Sequence, residues 1–148
     1  DVPSLPERLF INKIKKPCFI THFPAHLKAF YMEKNYEDPS LSESVDLLLP
    51  GVGEVVGGSI RMSDYDKLNE ALITETGLEK AKKSGDLESI AKAQSLYEAY
   101  SFYLDLRKYG SGFTGGYGLG LSRLLMFYGL NHIYFGSLFP RTATRLAP

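Results

Sequence analysis

The sequence has one cysteine, no excess of either charge and no long apolar run. Cys18 alone cannot form an internal disulfide, which indicates a reducing compartment. No segment approaches the roughly 20 apolar residues of a membrane span, and no secretory signal opens the chain. Because 17 basic side chains balance 17 acidic ones, the basic excess of a protein that grips a polynucleotide unaided is missing. Any nucleic acid would be bound locally or by a part outside this sequence.

The size and composition are those of one globular domain. Of the 148 residues, 44% are hydrophobic and 23% are charged, which suffices for a hydrophobic core. The chain does not begin with Met, and Pro3 and Pro6 lie within its first segment, "DVPSLPERLF". We therefore expect a connecting segment at the start, and a chain that is a piece of a longer protein.

Short apolar and β-branched runs bounded by turn residues predict the strands. The first is expected at 16–24, and 26–32 either continues it or forms a second short strand. Two more are expected within 44–50 and 51–61. Because these two flank a glycine-containing turn, they predict an antiparallel hairpin.

Helical periodicity follows in the second half of the chain. Helices are predicted at 63–73, 78–104 and about 121–130. Ser63 and Asp64 are candidate N-caps of the first of these. The second is expected to break at 84–86, with Asp86 capping the part that follows. A glycine-rich loop is expected at 107–116, and an extended or turn segment at 139–148.

The stretch "GGYGLGLSRLLMF" (115–127) places a glycine-rich strand against an apolar helix. Side chains alternate along a strand, so Gly116, Gly118 and Gly120 leave one face bare. A bare face allows a flat ligand to lie on the backbone. Arg123 adds a planar charge suited to phosphate near a helix N-terminus, which itself favours anions. The pattern predicts a nucleotide site. By spacing alone, close helix packing and a surface arginine explain it equally well.

The same stretch closely resembles motif 3 of the class II aminoacyl-tRNA synthetases. Four other segments are similar, in the same order, to the C-terminal half of the asparaginyl-tRNA synthetases: "FPAHLKAFYM", "LSESVDLLLPGVGEVVGGSIR", "FYLDLRKYGSG" and "LFPRT". The second of them is most similar to the eukaryotic cytosolic type. The resemblance covers residues 17–148 except about 74–98, where a helical insertion is expected.

The resemblance implies an α+β fold, a class II synthetase-type antiparallel β-sheet flanked by helices. Residues 1–148 would be the C-terminal part of the catalytic domain, without motif 1, motif 2 or the N-terminal anticodon-binding domain. It also implies ATP-dependent activation of asparagine and transfer to tRNA(Asn), with Mg²⁺ as cofactor, in a cytoplasmic enzyme without membrane contact whose full-length form is a homodimer. Without the arginine of motif 2, the chain by itself is expected to be inactive.

Site residues follow from the same resemblance. It implies catalytic roles for Arg123 and Glu54, Mg²⁺ binding by Asp46 and Glu54, and recognition of the amino acid by Gly57 and Arg61. It implies contacts with ATP for six residues: Glu54, Gly118, Gly120, Leu121, Ser122 and Arg123. Two carboxylates on neighbouring strands also suit Mg²⁺ in their own right, because this ion prefers oxygen ligands.

The sequence departs from the family pattern at several positions. Ser122 stands where motif 3 usually has an acidic residue, "SGFTGG" replaces a loop that usually contains Pro-His, and Ile60 precedes Arg61 where Gln is common. Two alternatives therefore stay open. One is an aspartate–tRNA ligase, or a paralogue that makes asparagine from an adenylate. The other is a non-catalytic synthetase paralogue that acts as a binding partner.

Overall fold

The computed structural model describes residues 4–140, which divide into two compact units. Within these residues, unit 1 consists of 4–23, 44–58 and 117–140, and unit 2 of 24–43 and 59–116. The elements are α1 (Ser4–Ile14), β1 (Cys18–Thr21), β2 (Ser44–Leu49), β3 (Gly53–Arg61), α2 (Tyr65–Thr76), α3 (Leu78–Ser84), α4 (Leu87–Ala99), α5 (Ser101–Asp105), β4 (Thr114–Leu119) and α6 (Leu121–Phe127), with 3₁₀ turns at Ala25–Leu27 and Ile133–Gly136.

The four strands form one sheet in the order β1-β2-β3-β4. β1 and β2 are antiparallel, with Cys18 opposite Leu48 and Thr21 opposite Val45. The predicted hairpin of β2 and β3 is confirmed, and Gly51 allows its tight turn because it adopts a φ of +79°. The antiparallel sheet with helices confirms the α+β fold class.

Unit 1 has an aliphatic core formed by residues of the β2–β3 hairpin and of α6. Leu49, Val52 and Val55 are buried there, and Leu124 and Met126 of α6 pack against them. Each fully buried aliphatic side chain of this size contributes about 1.5–3 kcal/mol to folding. This packing positions α6 against β3, which matters for the site described below.

Unit 2 has a separate core formed mainly by its helices. Met62, Leu68, Leu72 and Leu104 are buried together, with six further apolar side chains against them. The predicted caps are confirmed where they were expected. Asp64 accepts a 2.9 Å hydrogen bond from the Lys67 amide at the start of α2. Asp86 accepts one of 3.2 Å from the Ser89 amide at the start of α4, after the predicted break.

The prediction of a connecting segment at the start was wrong for the described residues, because 4–14 form α1. Pro6 lies in the first helical turn, where amide groups lack helical partners and proline is tolerated. Tertiary contacts hold the helix. Ile11 is fully buried, and Asn12 Oδ1 accepts a 2.9 Å hydrogen bond from the Gly51 amide.

The prediction of strand structure at 26–32 was also wrong. Residues 25–27 form a 3₁₀ turn, and Met32 makes only an isolated antiparallel bridge with Arg61. Helix α6 ends at Phe127, earlier than predicted, because Gly129 adopts a φ of +112° just beyond it. β4 begins at Thr114, within the segment predicted as a loop.

Helices occupy most of the segment predicted as an insertion, 74–98. Its status as an insertion relative to the family stays a prediction. Most of the predicted extended segment at 139–148 lies outside the described residues, as do the last two residues of "LFPRT". Across 4–140, no helix is long and apolar enough to cross a membrane.

Candidate functional site

In unit 1, the structure brings together Arg123 of α6 and Glu54 of β3. Arg123 Nη1 donates a 2.7 Å hydrogen bond to the Glu54 backbone carbonyl, and it lies 3.9 Å from the Glu54 carboxylate atom Oε2. The two side chains are 48% and 42% exposed. An ion pair this exposed contributes at most about 1 kcal/mol to stability. Both groups are therefore accessible to a ligand at little cost to the fold.

Gly120 links the end of β4 to β3 and lies beside the Arg123 side chain. Its amide donates a 2.8 Å hydrogen bond to the Val55 carbonyl, which holds the end of β4 beside β3. A Cβ on Gly120 would lie 3.4 Å from Arg123 Cδ, an ordinary van der Waals contact, so this spacing does not by itself require glycine. Because α6 has only seven residues, the predicted attraction of phosphate depends on the Arg123 charge and owes little to the helix dipole.

Gly118 provides the open part of the bare strand face. A Cβ built there meets no heavy atom within 4 Å, so neither packing nor a strained backbone accounts for this glycine. Leu121 follows the strand and is exposed. The space is compatible with the predicted nucleotide, although the nucleotide contacts stay predictions.

The carboxylates of Asp46 and Glu54 converge over Gly57. A Cβ at Gly57 would lie 2.9 Å from Glu54 Oε1 and 3.3 Å from Asp46 Oδ1. The absence of this side chain creates a cradle for the two acids. Two carboxylates at one point fit Mg²⁺, which commonly takes one or two protein carboxylates and completes its shell with water and substrate phosphates. Within residues 4–140, no cluster of three or more His, Cys, Asp or Glu side chains could hold a metal.

Glu7 of α1 is a site residue that sequence reasoning missed. Its Oε1 accepts a 2.9 Å hydrogen bond from the Glu54 amide. The backbone of Glu54 is therefore held on both sides, by Glu7 at its amide and by Arg123 at its carbonyl. No local signal could have identified Glu7, because it lies 47 positions from Glu54 in a segment predicted to be a connector.

Ser122 packs against the backbone of Gly136. Its Oγ lies 3.5 Å from the Gly136 carbonyl oxygen, and a Cβ on Gly136 would lie 2.9 Å from Ser122 Cβ. The small serine side chain and the bare glycine fit each other.

Unit 2 contains Arg61, the other predicted recognition residue. Its Nη1 donates a 2.8 Å hydrogen bond to Ser59 Oγ, and its guanidinium lies over the Tyr31 ring, 4.8 Å from the centroid. A Cβ on Gly116 would lie 3.0 Å from Arg61 Nη2. Arg61 is thus oriented by a hydroxyl, an aromatic ring and a glycine. The repeated glycines of β4 indicated Gly116, but nothing in the sequence indicated Ser59 or Tyr31.

Residues 4–143 match the family model described as tRNA synthetases class II (D, K and N). Among curated proteins, the chain is 41% identical to the asparagine–tRNA ligase of Thermococcus kodakarensis and 41% identical to the cytoplasmic one of Mus musculus. Both matches cover the whole chain, but only 31% and 23% of those relatives. The chain therefore spans less than a third of their length.

Solved structures of tRNA synthetases are also similar to the chain. The chain is similar to the Entamoeba histolytica asparaginyl-tRNA synthetase in complex with asparaginyl-adenylate, with a TM-score of 0.77 and 43% identity. It is also similar to a putative aspartyl-tRNA synthetase from Leishmania major, with a TM-score of 0.73 and 27% identity. Both matches cover the whole chain, and 30% and 27% of those structures.

Proposed function

The chain belongs to the class II tRNA synthetases (D, K and N), and on that premise we propose that it is the C-terminal part of the catalytic domain of an asparagine–tRNA ligase. The observation that carries the proposal is the convergence of Asp46 and Arg123 on Glu54. The choice of asparagine is supported by the identities, 43% to an asparaginyl-tRNA synthetase structure against 27% to an aspartyl one.

The proposed reaction has two steps. The carboxylate of asparagine attacks the α-phosphate of ATP, which forms asparaginyl-adenylate and releases pyrophosphate. A terminal ribose hydroxyl of tRNA(Asn) then attacks the acyl carbon and releases AMP. Neither step needs a nucleophile from the protein. The protein accelerates such displacements by positioning the reactants and by stabilising charge on the phosphates.

Arg123 is proposed to bind the terminal phosphate of ATP. A guanidinium has five N–H donors, and one nitrogen, Nη1, is used by the Glu54 carbonyl. The remaining donors can form the forked contact that phosphate favours. In this proposal, the nucleotide lies over Gly118 and Gly120, with Leu121 and Ser122 following at the end of the strand. The space above Gly118 supports this placement.

Glu54 and Asp46 are proposed to hold Mg²⁺. When bound, the ion would neutralise charge on the phosphates of ATP. Glu54 has the leading role because its backbone is fixed by both Glu7 and Arg123. Asp46 supplies the second carboxylate from the neighbouring strand, and Gly57 leaves the space in which the two meet.

Arg61 and Gly57 are proposed to recognise the amino acid. An arginine can donate hydrogen bonds to the amide oxygen of asparagine, whereas a carboxylate would accept a bidentate pair. Arg61 is suited to this role because Ser59, Tyr31 and Gly116 already restrict its orientation. The choice between asparagine and aspartate would need further groups outside this chain.

The proposal extends to the rest of the protein. Motif 1, motif 2 and an anticodon-binding domain would complete the enzyme, which we propose to be a homodimer. A cytoplasmic location is proposed from the cytoplasmic relatives. The helices within 74–98 would be an insertion in the catalytic domain.

The test is ATP–pyrophosphate exchange by the complete protein that carries this chain, with asparagine or aspartate as substrate. We expect exchange with asparagine that is lost in Arg123→Ala. Lys82→Ala is the matched control, because it removes an exposed positive charge from unit 2 and should leave the rate unchanged. Exchange with aspartate alone would select the aspartate ligase. A folded protein without either activity would support a non-catalytic paralogue, for which the serine at position 122 is the favouring observation.

A further inference from the structure

Behind Arg61, unit 2 contains a row of four contacting groups, called the stack below, in which two tyrosine rings lie between two guanidinium groups. The Arg61 guanidinium lies over Tyr31 at 4.8 Å from the ring centroid. Tyr31 meets Tyr103 edge to face, with centroids 6.2 Å apart and planes at 65°. The Arg107 guanidinium lies over the Tyr103 ring at 4.1 Å. Contacts between cations and ring faces, and edge-to-face aromatic pairs, are attractive and directional.

Arg107 is the buried end of this stack, with only 8% of its surface exposed. Its Nη2 donates a 2.9 Å hydrogen bond to the Tyr103 hydroxyl, and its Nε donates one of 3.3 Å to the Met62 carbonyl. Burial of a charged group is costly unless its donors are satisfied. A buried arginine with these partners holds them in place, since a shift of any one would leave a donor unpaired.

The Met62 carbonyl matters because Met62 directly follows Arg61. The Met62 amide donates a 2.9 Å hydrogen bond to the Tyr31 carbonyl, and Arg61 forms an antiparallel bridge with Met32. Arg107 therefore acts on Arg61 by two routes. One is the backbone through Met62, and the other is the pair of rings through Tyr103 and Tyr31.

We propose that Arg107 is a positioning residue for Arg61, acting through Tyr103, Tyr31 and the Met62 carbonyl. The inference rests on the proposed function, in which Arg61 recognises the side chain of asparagine. A long arginine side chain loses considerable entropy when it is fixed. Recognition of a planar amide needs a narrow range of guanidinium orientations. The stack limits the Arg61 side chain to that range before the substrate arrives.

The experiment compares Arg107→Met, Arg107→Lys, Tyr103→Leu and Tyr103→Phe in the complete protein by ATP–pyrophosphate exchange. We expect Arg107→Met and Tyr103→Leu to raise the KM for asparagine about fivefold to tenfold and to leave the KM for ATP unchanged. Arg107→Lys should recover part of the loss, because it keeps the charge over the ring. Tyr103→Phe keeps the ring but leaves the Arg107 Nη2 donor unpaired, so its KM for asparagine should lie between those of the wild type and Tyr103→Leu.

Tyr97→Leu is the matched control. Tyr97 belongs to α4 of the same unit, is half-buried and donates a 2.7 Å hydrogen bond to Asn69 Oδ1. Its loss should lower thermal stability without a selective change in the KM for asparagine. Circular dichroism shows whether each variant folds. If Arg107→Met does not fold, the comparison of Tyr103→Leu with Tyr103→Phe tests the inference.

The outcomes separate this inference from the proposed function. A wild-type protein that does not exchange with asparagine would refute the proposed function and remove the premise of the inference. An active wild type whose Arg107 and Tyr103 variants affect asparagine and ATP equally would overturn the inference alone. The inference would also be overturned if the Arg107 and Tyr103 variants raised the KM for asparagine no more than Tyr97→Leu does.

Discussion

Arg123 Nη1 donates a 2.7 Å hydrogen bond to the backbone carbonyl of Glu54, a residue 69 positions earlier in the chain. The same nitrogen lies 3.9 Å from the Glu54 carboxylate. The arginine is thus anchored by the main chain of the residue whose side chain it neighbours. Removal of the carboxylate charge therefore need not release the arginine, so the roles of the two groups can be separated by mutation.

Glu54→Gln should weaken Mg²⁺ binding while it keeps the Arg123 anchor. The variant retains the backbone carbonyl and the side-chain shape but loses the charge that a hard cation prefers. We expect the Mg²⁺ concentration for half-maximal pyrophosphate exchange to rise about tenfold or more. Asp46→Asn should act in the same direction with a smaller effect. Glu75→Gln, an exposed acid of unit 2, is the isosteric control. An unchanged Mg²⁺ profile in both site variants would contradict the proposed metal site.

Gly57→Ala should displace the Glu54 carboxylate without unfolding the protein. The new methyl group would lie 2.9 Å from Glu54 Oε1, which is the far end of a flexible side chain that can move away. We expect the Mg²⁺ requirement to rise as in Glu54→Gln, with little change in the thermal midpoint. A Mg²⁺ titration of exchange, combined with a thermal melt, checks both parts. Large destabilisation with a normal Mg²⁺ profile would show that the glycine serves packing only.

Gly118→Ala should raise the KM for ATP although the unliganded fold has room for the methyl group. A Cβ at this position meets nothing within 4 Å, so any loss reflects a ligand that lies on the strand. The expected increase is about tenfold, the size of one lost favourable contact of roughly 1.4 kcal/mol. Gly112→Ala is the matched control, because a Cβ there also meets nothing within 4 Å. Equal KM values for ATP in the two variants would argue against the nucleotide on β4.

The N-terminus of α4 should loosen at low pH because of Asp86. Hydrogen bonds from the Ser89 side chain, and then from its backbone amide, hold the pKa of the Asp86 carboxyl below its usual value. The cap is therefore fully effective above the usual carboxyl pKa and is lost as pH falls through the lowered value. Hydrogen exchange of the first turn of α4, corrected for the intrinsic pH dependence, should show this loss. Asp86→Asn should cap the helix with no such dependence.

Several elements could be predicted from the sequence because their signals are local. The β2–β3 hairpin follows from two apolar runs and the turn between them, with Gly51 at positive φ. The start of α2 at Asp64 and the break before α4 at Asp86 follow from capping side chains whose hydrogen bonds reach only three residues along the chain. The candidate pair of Asp46 and Glu54 follows from the same hairpin, which places them on neighbouring strands.

The elements that were predicted wrongly depend on distant contacts. Helix α1 forms where Pro6 indicated a connector, since Ile11 is buried and Asn12 binds the Gly51 amide. Within the strand expected at 26–32, a 3₁₀ turn occupies 25–27, and Met32 forms a single bridge with Arg61 at the end of β3. None of these contacts is indicated by the local sequence.

The sequence by itself determined the family resemblance, the glycine strand with Arg123, and the carboxylates of the hairpin, because these depend on residue types at short spacings. Only the tertiary structure decided what surrounds them. Glu7 reaches the Glu54 amide in β3 from helix α1, and Arg107 lies behind Arg61 in a stack whose members come from separate segments. Such contacts are set by packing between residues far apart in the chain, which periodicity and spacing do not encode.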